Sequence, residues 1–190
     1  MALVWNKSDL PTLADKKVQM ANEVCRSTIY AGIDVELSAG TEHFSLELHD
    51  QANIDSMFNA VTLGAKEYQY HSDGGQMKVY SAADIVVLYA SYRTFVSKQT
   101  AYCNFLKNWI KREEDKEVLG GIVYGSELPS DLKAAMDAVL ASSAEQLKNI
   151  VAAVNDGAFV DKIASLESQV TDAQIGLCEV YELALGGGAV

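Results

Sequence analysis

A mainly helical α+β fold, with two short β-hairpins packed on helices and a C-terminal helical hairpin or coiled-coil stalk, is what this sequence predicts. Three observations lead to it. Long stretches place apolar residues three and four apart, two pairs of short segments alternate apolar with polar residues across glycine-containing links, and the C-terminal stretch repeats apolar positions at a heptad-like interval.

In chain order, Ser8 or Asp9 is positioned to cap a first helix with Pro11 in its first turn. Leu10, Leu13, Val18, Ala21, Val24, Cys25 and Ile29 form its apolar stripe to about Tyr30, and Gly32 ends it. Residues 33–37 and 43–48 alternate, and the link through Ser38, Ala39, Gly40 and Thr41 makes them a β-hairpin. Asp50 then caps a helix carrying Ile54, Met57, Phe58, Val61 and Leu63, closed by Gly64. A second hairpin pairs residues 67–71 with 76–80 through Ser72-Asp73-Gly74-Gly75, where Asp-Gly supplies the positive φ of a tight turn.

Ser81, followed three residues later by Asp84, opens a long helix to about Glu114 with an apolar face from Ile85 to Ile110. The charged run from Lys111 to Glu117 reads as a solvated face, and Ile122-Val123-Tyr124, set among glycines, as a short strand. Ser130 or Asp131 caps a further helix with Leu132, Met136, Val139, Leu140, Leu147, Ile150 and Val154. Asn155-Asp156-Gly157 breaks it.

Beyond the break, Ile163, Leu166, Val170, Ala173, Leu177, Val180 and Ala184 follow one another at spacing 3-4-3-4-3-4. Such a seam is narrow for a globular core but suits a helix that pairs with a neighbour or with copies of itself. Two arrangements satisfy it: an antiparallel pair of the helices at about 130–154 and 158–185, or a kinked stalk that self-associates as a dimer or trimer. The natural division is a small α+β domain over 1–128 and an oligomerisation or docking segment over 129–190.

Composition narrows the function. With 190 residues, 49% of them hydrophobic, and only two prolines, the chain is long enough to bury a core. A formal net charge of -11 opposes binding to nucleic-acid phosphates or anionic lipid, so neither nucleic acid nor membrane is an expected partner. The start MALVWNKSDLP lacks the basic and apolar regions of a signal peptide, which places synthesis in the cytoplasm. Cys25, Cys103 and Cys178 lie far apart in helical runs, as buried thiols do, rather than at bridge or metal-ligand spacing.

No residue pattern commits the chain to catalysis. His43, His49 and His71 flank the hairpins near several carboxylates, but at no recognised ligand spacing, so neither a metal nor another cofactor is expected. Pairing Cys103 with His71, or Ser45 with His43, lacks the strand-turn-helix elbow of a nucleophile. Gly74-Gly75 and Gly120-Gly121 lack the residues of a phosphate cradle and read as turns. Tyr68, Tyr70 and Tyr80, with His71, form the one candidate ligand surface, a platform on which a sugar would stack. Strand alternation instead favours burial of some of these rings.

At Asp50-Gln51-Ala52-Asn53-Ile54, Tyr70-His71-Ser72-Asp73-Gly74 and Val79-Tyr80-Ser81-Ala82-Ala83-Asp84, the chain resembles an uncharacterised family of tail- and baseplate-associated domains of tailed bacteriophages and prophages. The shared pattern is an Asp-Gln-x-Asn/Ser helix, a hairpin with an aromatic before Asp-Gly, and a long helix opened by Tyr-Ser-Ala, covering roughly residues 15–115. The resemblance implies a non-enzymatic virion component of a tail, baseplate, fibre or phage-tail-like particle. Its expected partners are copies of itself and neighbouring tail proteins, and no catalytic residue carries over. Two other roles fit the same residues: a module presenting the tyrosine hairpin to a host-surface glycan, and a tail assembly chaperone.

Overall fold

The computed structural model describes residues 12–157, 160–162 and 164–171. Among them the fold is α+β and mainly helical, with two antiparallel two-stranded sheets. In chain order the elements are α1 (Leu13–Tyr30), β1 (Ile33–Leu37), β2 (Gly40–Phe44), α2 (Leu48–Thr62), β3 (Glu67–Tyr70), β4 (Lys78–Ser81), α3 (Ala82–Arg112), α4 (Lys116–Gly121) and α5 (Ser130–Asn155). Residues 160–162 and 164–171 are also helical.

Local chemistry sets the boundaries, and several differ from the sequence expectation. Thr12, not Ser8 or Asp9, caps α1: its side chain accepts from the Asp15 amide while the Asp15 carboxylate accepts from the Thr12 amide, satisfying two orphan donors reciprocally. Ser8, Asp9 and Pro11 lie outside the described residues. In the first hairpin a two-residue turn pairs Leu37 with Gly40 and Ile33 with Phe44, so β2 ends at Phe44 rather than at 48. Leu46 is then free to drop into the core, and Leu48 opens α2. Asp50 serves that helix from inside its first turn, accepting from the Glu47 amide at 3.1 Å, with Glu47 as the cap.

The second hairpin begins its return at Lys78 instead of 76, and Gly74 takes the positive φ, 68°, that Asp73-Gly74 foretold. Gly32 is more tightly constrained. Its φ is 85°, and a Cβ there would meet the Phe44 carbonyl oxygen at 2.1 Å.

Ser81 caps α3 as expected, accepting from the Asp84 amide at 3.2 Å. The expected strand at Ile122-Val123-Tyr124 does not form: Asp115 caps α4 through the Glu117 and Val118 amides, and Ile122 ends that helix with its side chain buried. Gly120 and Gly121 thus close helix α4 rather than forming the separate turn that the glycine pair suggested. For α5 the capping position falls on Pro129, without a side-chain cap, while Asp131 makes a two-pronged ion pair with Arg112 at 2.5 and 2.9 Å. That guanidinium holds the Asp131 carboxyl down at about 2.

With 31 residues, or about 45 Å at the helical rise, α3 runs through two adjoining clusters. Ile85, Val86, Leu88 and Tyr92 join Phe44, Leu46, Ile54, Met57 and Phe58 in the first. Leu106 and Ile110 join Ala21, Leu119, Ile122 and Leu128 in the second. Helix α5 runs back along α3, with Leu132 and Met136 against the second cluster and Val151 and Val154 against the first. The division drawn at 128/129 therefore falls between elements that share both clusters.

Polar side chains tie the two ribbons together. Asp84 accepts from the Ser38 amide and hydroxyl at 2.8 Å each, joining the β1–β2 turn to the start of α3. Its carboxyl would be raised by burial, yet these bonds and those from Ser81 hold it below the ordinary range. Glu42 on β2 accepts from Lys78 at 2.5 Å and from the Tyr80 hydroxyl at 2.8 Å on β4. The Asp73 amide donates to the His43 carbonyl at 2.9 Å, and the Ser45 hydroxyl donates toward Asp73 at 3.0 Å and Asp50 at 3.1 Å. Replacing Asp84 with Ala strips partners from Ser38 and from the helix cap, and should cost about 2 kcal/mol in urea unfolding. A loss under about 0.5 kcal/mol, the scatter of an ordinary surface substitution, would contradict this role.

Candidate functional site

The second hairpin, proposed above as a ligand platform, presents its rings unevenly. Tyr68 pairs across the ribbon with Tyr80, and Tyr70 with Lys78, so all four project from one face. That face is buried only at Tyr70 and Tyr80, 9% and 4% exposed, while Tyr68 at its edge stays open. Tyr70 stacks parallel to Phe44 at 6.5 Å, while Tyr80 meets Phe44 edge-on at 6.1 Å. Burial, followed by the hydrogen bond to Glu42, pushes the Tyr80 hydroxyl up to about 12, and burial also raises Tyr70. Both rings belong to the core, as strand alternation favoured, and neither offers a face to a sugar.

What remains outside is Tyr68, His71 and the opposite face of the ribbon. The exposed His71 ring lies against Tyr70 with centroids 5.2 Å apart, and its Nδ1 sits 3.1 Å from the Ser72 carbonyl. Tyr68, Met77 and Val79 are exposed and border a shallow depression with Glu67 and Gln69.

The first hairpin holds the most polarised histidine. His43 pairs across the ribbon with Asp34, and its Nδ1 lies 2.8 Å from the Asp34 carboxylate while Nε2 lies 2.9 Å from the Ala31 carbonyl. Both partners only accept, so both nitrogens are satisfied as donors only in the imidazolium form. The Asp34 bond, then the Ala31 bond, raise the His43 pKa above its ordinary value. His43 is thus occupied as a strand clamp, and Ser45 faces carboxylates at Asp50 and Asp73 instead of a base. His49 faces Glu47 and Asp50 in the first turn of α2. Among the described residues no group of three or more His, Cys, Asp or Glu side chains has metal-binding geometry.

No family model, curated protein or solved structure matches this chain. The site must be read from its own geometry.

Two features escaped sequence reasoning. An open groove of ≈ 300 Å³ lies between α3 and α5, with Tyr89, Leu140, Leu147 and Ile150 giving it apolar walls and Arg93 and Lys98 a positive charge. Beside it, buried Tyr92 donates its hydroxyl to Asp55 on α2, and Arg93 reaches that hydroxyl at 3.4 Å. Burial first, then the Asp55 bond, push the Tyr92 hydroxyl up to about 12. Nothing in the local spacing signals a partner 37 positions away.

The C-terminal seam is partly visible. Leu166 is 46% exposed and Val170 57%, on a helical stretch whose described side chains all lie open to solvent. Val160 lies against Gly64 at the end of α2, which fixes where this stretch departs from the body. The side chain of Ile163, and Ala173, Leu177, Val180 and Ala184, lie outside the described residues.

A pH dependence follows from His43. Because its folded pKa is raised above the unfolded value of about 6.5, its contribution is complete below that value and is lost as pH rises through the higher folded one. The melting temperature of the protein relative to His43→Gln should therefore exceed that of the variant by more at pH 6 than at pH 8. A gap that is flat or widens with pH would refute the imidazolium clamp.

Proposed function

We propose that the protein is a non-enzymatic structural component of a phage tail, baseplate or fibre, or of a phage-tail-like particle, and that it assembles with copies of itself through its C-terminal helices. The observation that supports assembly is the exposure of Leu166 and Val170, four residues apart on one helical face and uncovered by the protein's own body. Apolar side chains at that interval suit a partner helix with the same interval, and a second copy of this chain supplies one. The net charge of -11 then acts against assembly, since like-charged copies repel until salt screens them.

The tail assignment rests on the motif resemblance, and the geometry gives those motifs a shared task. Asp50 sits in the first turn of α2, Gln51 donates to the Leu46 carbonyl at 2.8 Å, Ile54 fills the core, Tyr70 and Tyr80 both pack on Phe44, and Ser81 with Asp84 opens α3. Each holds the ribbons in place; none is presented for chemistry. This supports a scaffold role. A second reading, in which the exposed edge of the hairpin meets a host-surface glycan, draws support from exposed Tyr68 beside Met77 and Val79. It ranks lower because Tyr70 and Tyr80 turn inward.

Replacing both Leu166 and Val170 with Asp should lower the association constant at least about tenfold in sedimentation velocity, while leaving the circular-dichroism spectrum and melting temperature of the body unchanged. Wild-type association should also strengthen between roughly 0.05 and 0.5 M salt, as screening relieves repulsion. Undiminished association in the double variant would overturn the seam as the contact.

A further inference from the structure

Antiparallel packing of α1 on α3 brings together two cysteines that are remote in sequence. Lys17 near the start of α1 donates to the Gly120 and Ile122 carbonyls beyond the end of α3, while Cys25 in the later part of α1 meets Gln99 in the middle of α3. The Cys25 Sγ lies 3.6 Å from the Gln99 carbonyl oxygen, and the Cys103 Sγ lies 3.6 Å from the Ala21 carbonyl oxygen. These contacts are reciprocal in a specific sense. Within its own helix the Gln99 carbonyl accepts from the Cys103 amide, and the Ala21 carbonyl accepts from the Cys25 amide. Each sulfur therefore rests on the backbone unit that carries the other.

Close approach of the helices makes this geometry attainable. Ala21, Cys25 and Cys103 are all buried, so three small side chains occupy the contact. A disulfide needs its Cα atoms roughly 4.4–6.8 Å apart, a separation that helices reach only where such small residues meet. Both cysteines line an open groove of ≈ 350 Å³, and Arg26 and Lys107 line it with them. A small anionic disulfide fits that combination of sulfur and positive charge.

We propose that Cys25 and Cys103 form a thiol–disulfide site, oxidised by a small anionic disulfide such as glutathione disulfide, whose closure staples α1 to α3. In the first step the thiolate of one cysteine attacks a sulfur of glutathione disulfide, forming a protein–glutathione mixed disulfide and expelling one glutathione thiolate. In the second, the other cysteine's thiolate attacks the protein sulfur of that mixed bond and expels the remaining glutathione. Two protein sulfurs are oxidised, two glutathione sulfurs are reduced, and the two thiol protons pass to the released thiolates. Burial, followed by the neighbouring Cys25, pushes the Cys103 thiol up to about 11, so the exchange is slow near neutrality and favoured by mild alkali.

The test uses the full chain with Cys178→Ser, leaving only these two cysteines, incubated with glutathione disulfide at about pH 8.5 and then alkylated. Proteolysis without reductant should yield a peptide linking Cys25 to Cys103, and the intact mass should fall by about 2 Da, the two hydrogens lost. The melting temperature should rise by ~5–15 °C and return on reduction. Adding Cys103→Ala should abolish the linked peptide and the rise, leaving Cys25 free or as a single glutathione adduct. Two glutathione adducts on one chain, or two thiols recovered unlinked from the folded protein, would overturn the proposal, as would a rise that persists in the Cys103→Ala variant.

Discussion

A two-stranded ribbon cannot hold itself together in water, and among the described residues there are two of them with no strand ladder joining one to the other. Everything around the ribbons answers that constraint. Their inward faces share one aromatic contact, in which Phe44 of the first meets Tyr70 and Tyr80 of the second, and each ring removed from water contributes roughly 1.5–3 kcal/mol. Dispersion and area alone do not set the relative placement of two ribbons, because apolar contact is non-directional. Direction comes from Glu42, Asp73 and Asp84, which accept or donate across the boundaries between β2, β4, the turns and α3. In each case the charge remains partly solvated, so it supplies geometry without the full desolvation penalty of a buried ion.

Helix α3 turns this local solution into a whole fold. Its first half completes the ribbon core and its second half builds a separate cluster with α1, α4 and the start of α5. Helix α5 behaves differently from the rest. It has no fully buried residue, since it lies on α3 by one stripe and leaves Val139, Ile150 and a row of alanines toward solvent. The segment after it is more open still, with Leu166 and Val170 uncovered.

Much of this was legible in the residues. Helical stripes, the Asp73-Gly74 turn and the Ser81–Asp84 helix start depend on neighbours within a few positions, and local pattern finds them. The errors arose where a distant partner decided the outcome. Strand β2 lies at Gly40–Phe44 because a two-residue turn pairs Leu37 with Gly40, a register that alternation in 43–48 could not reveal. Ile122 and its neighbours carry a strand-like composition, but Asp115 starts a helix that runs to Gly121, the second cluster buries Ile122 at its end, and Tyr124-Gly125 form a turn. The candidate platform was half legible, because alternation puts Tyr68, Tyr70 and Tyr80 on one face but does not say which of them meet Phe44. The cysteine pair and the Asp55–Tyr92 bond had no local signal, since each joins helices far apart in sequence.

The central claim is that the body is self-sufficient and the C-terminal seam is not. The most direct measurement is the mass of the intact chain by multi-angle light scattering across a concentration series from about 1 to 100 µM at physiological salt, a range that spans micromolar affinities. The account predicts a rise from the 20.6 kDa chain to a discrete dimer or trimer mass that then holds constant. A mass that stays at one chain throughout, or that climbs without a plateau, would contradict it.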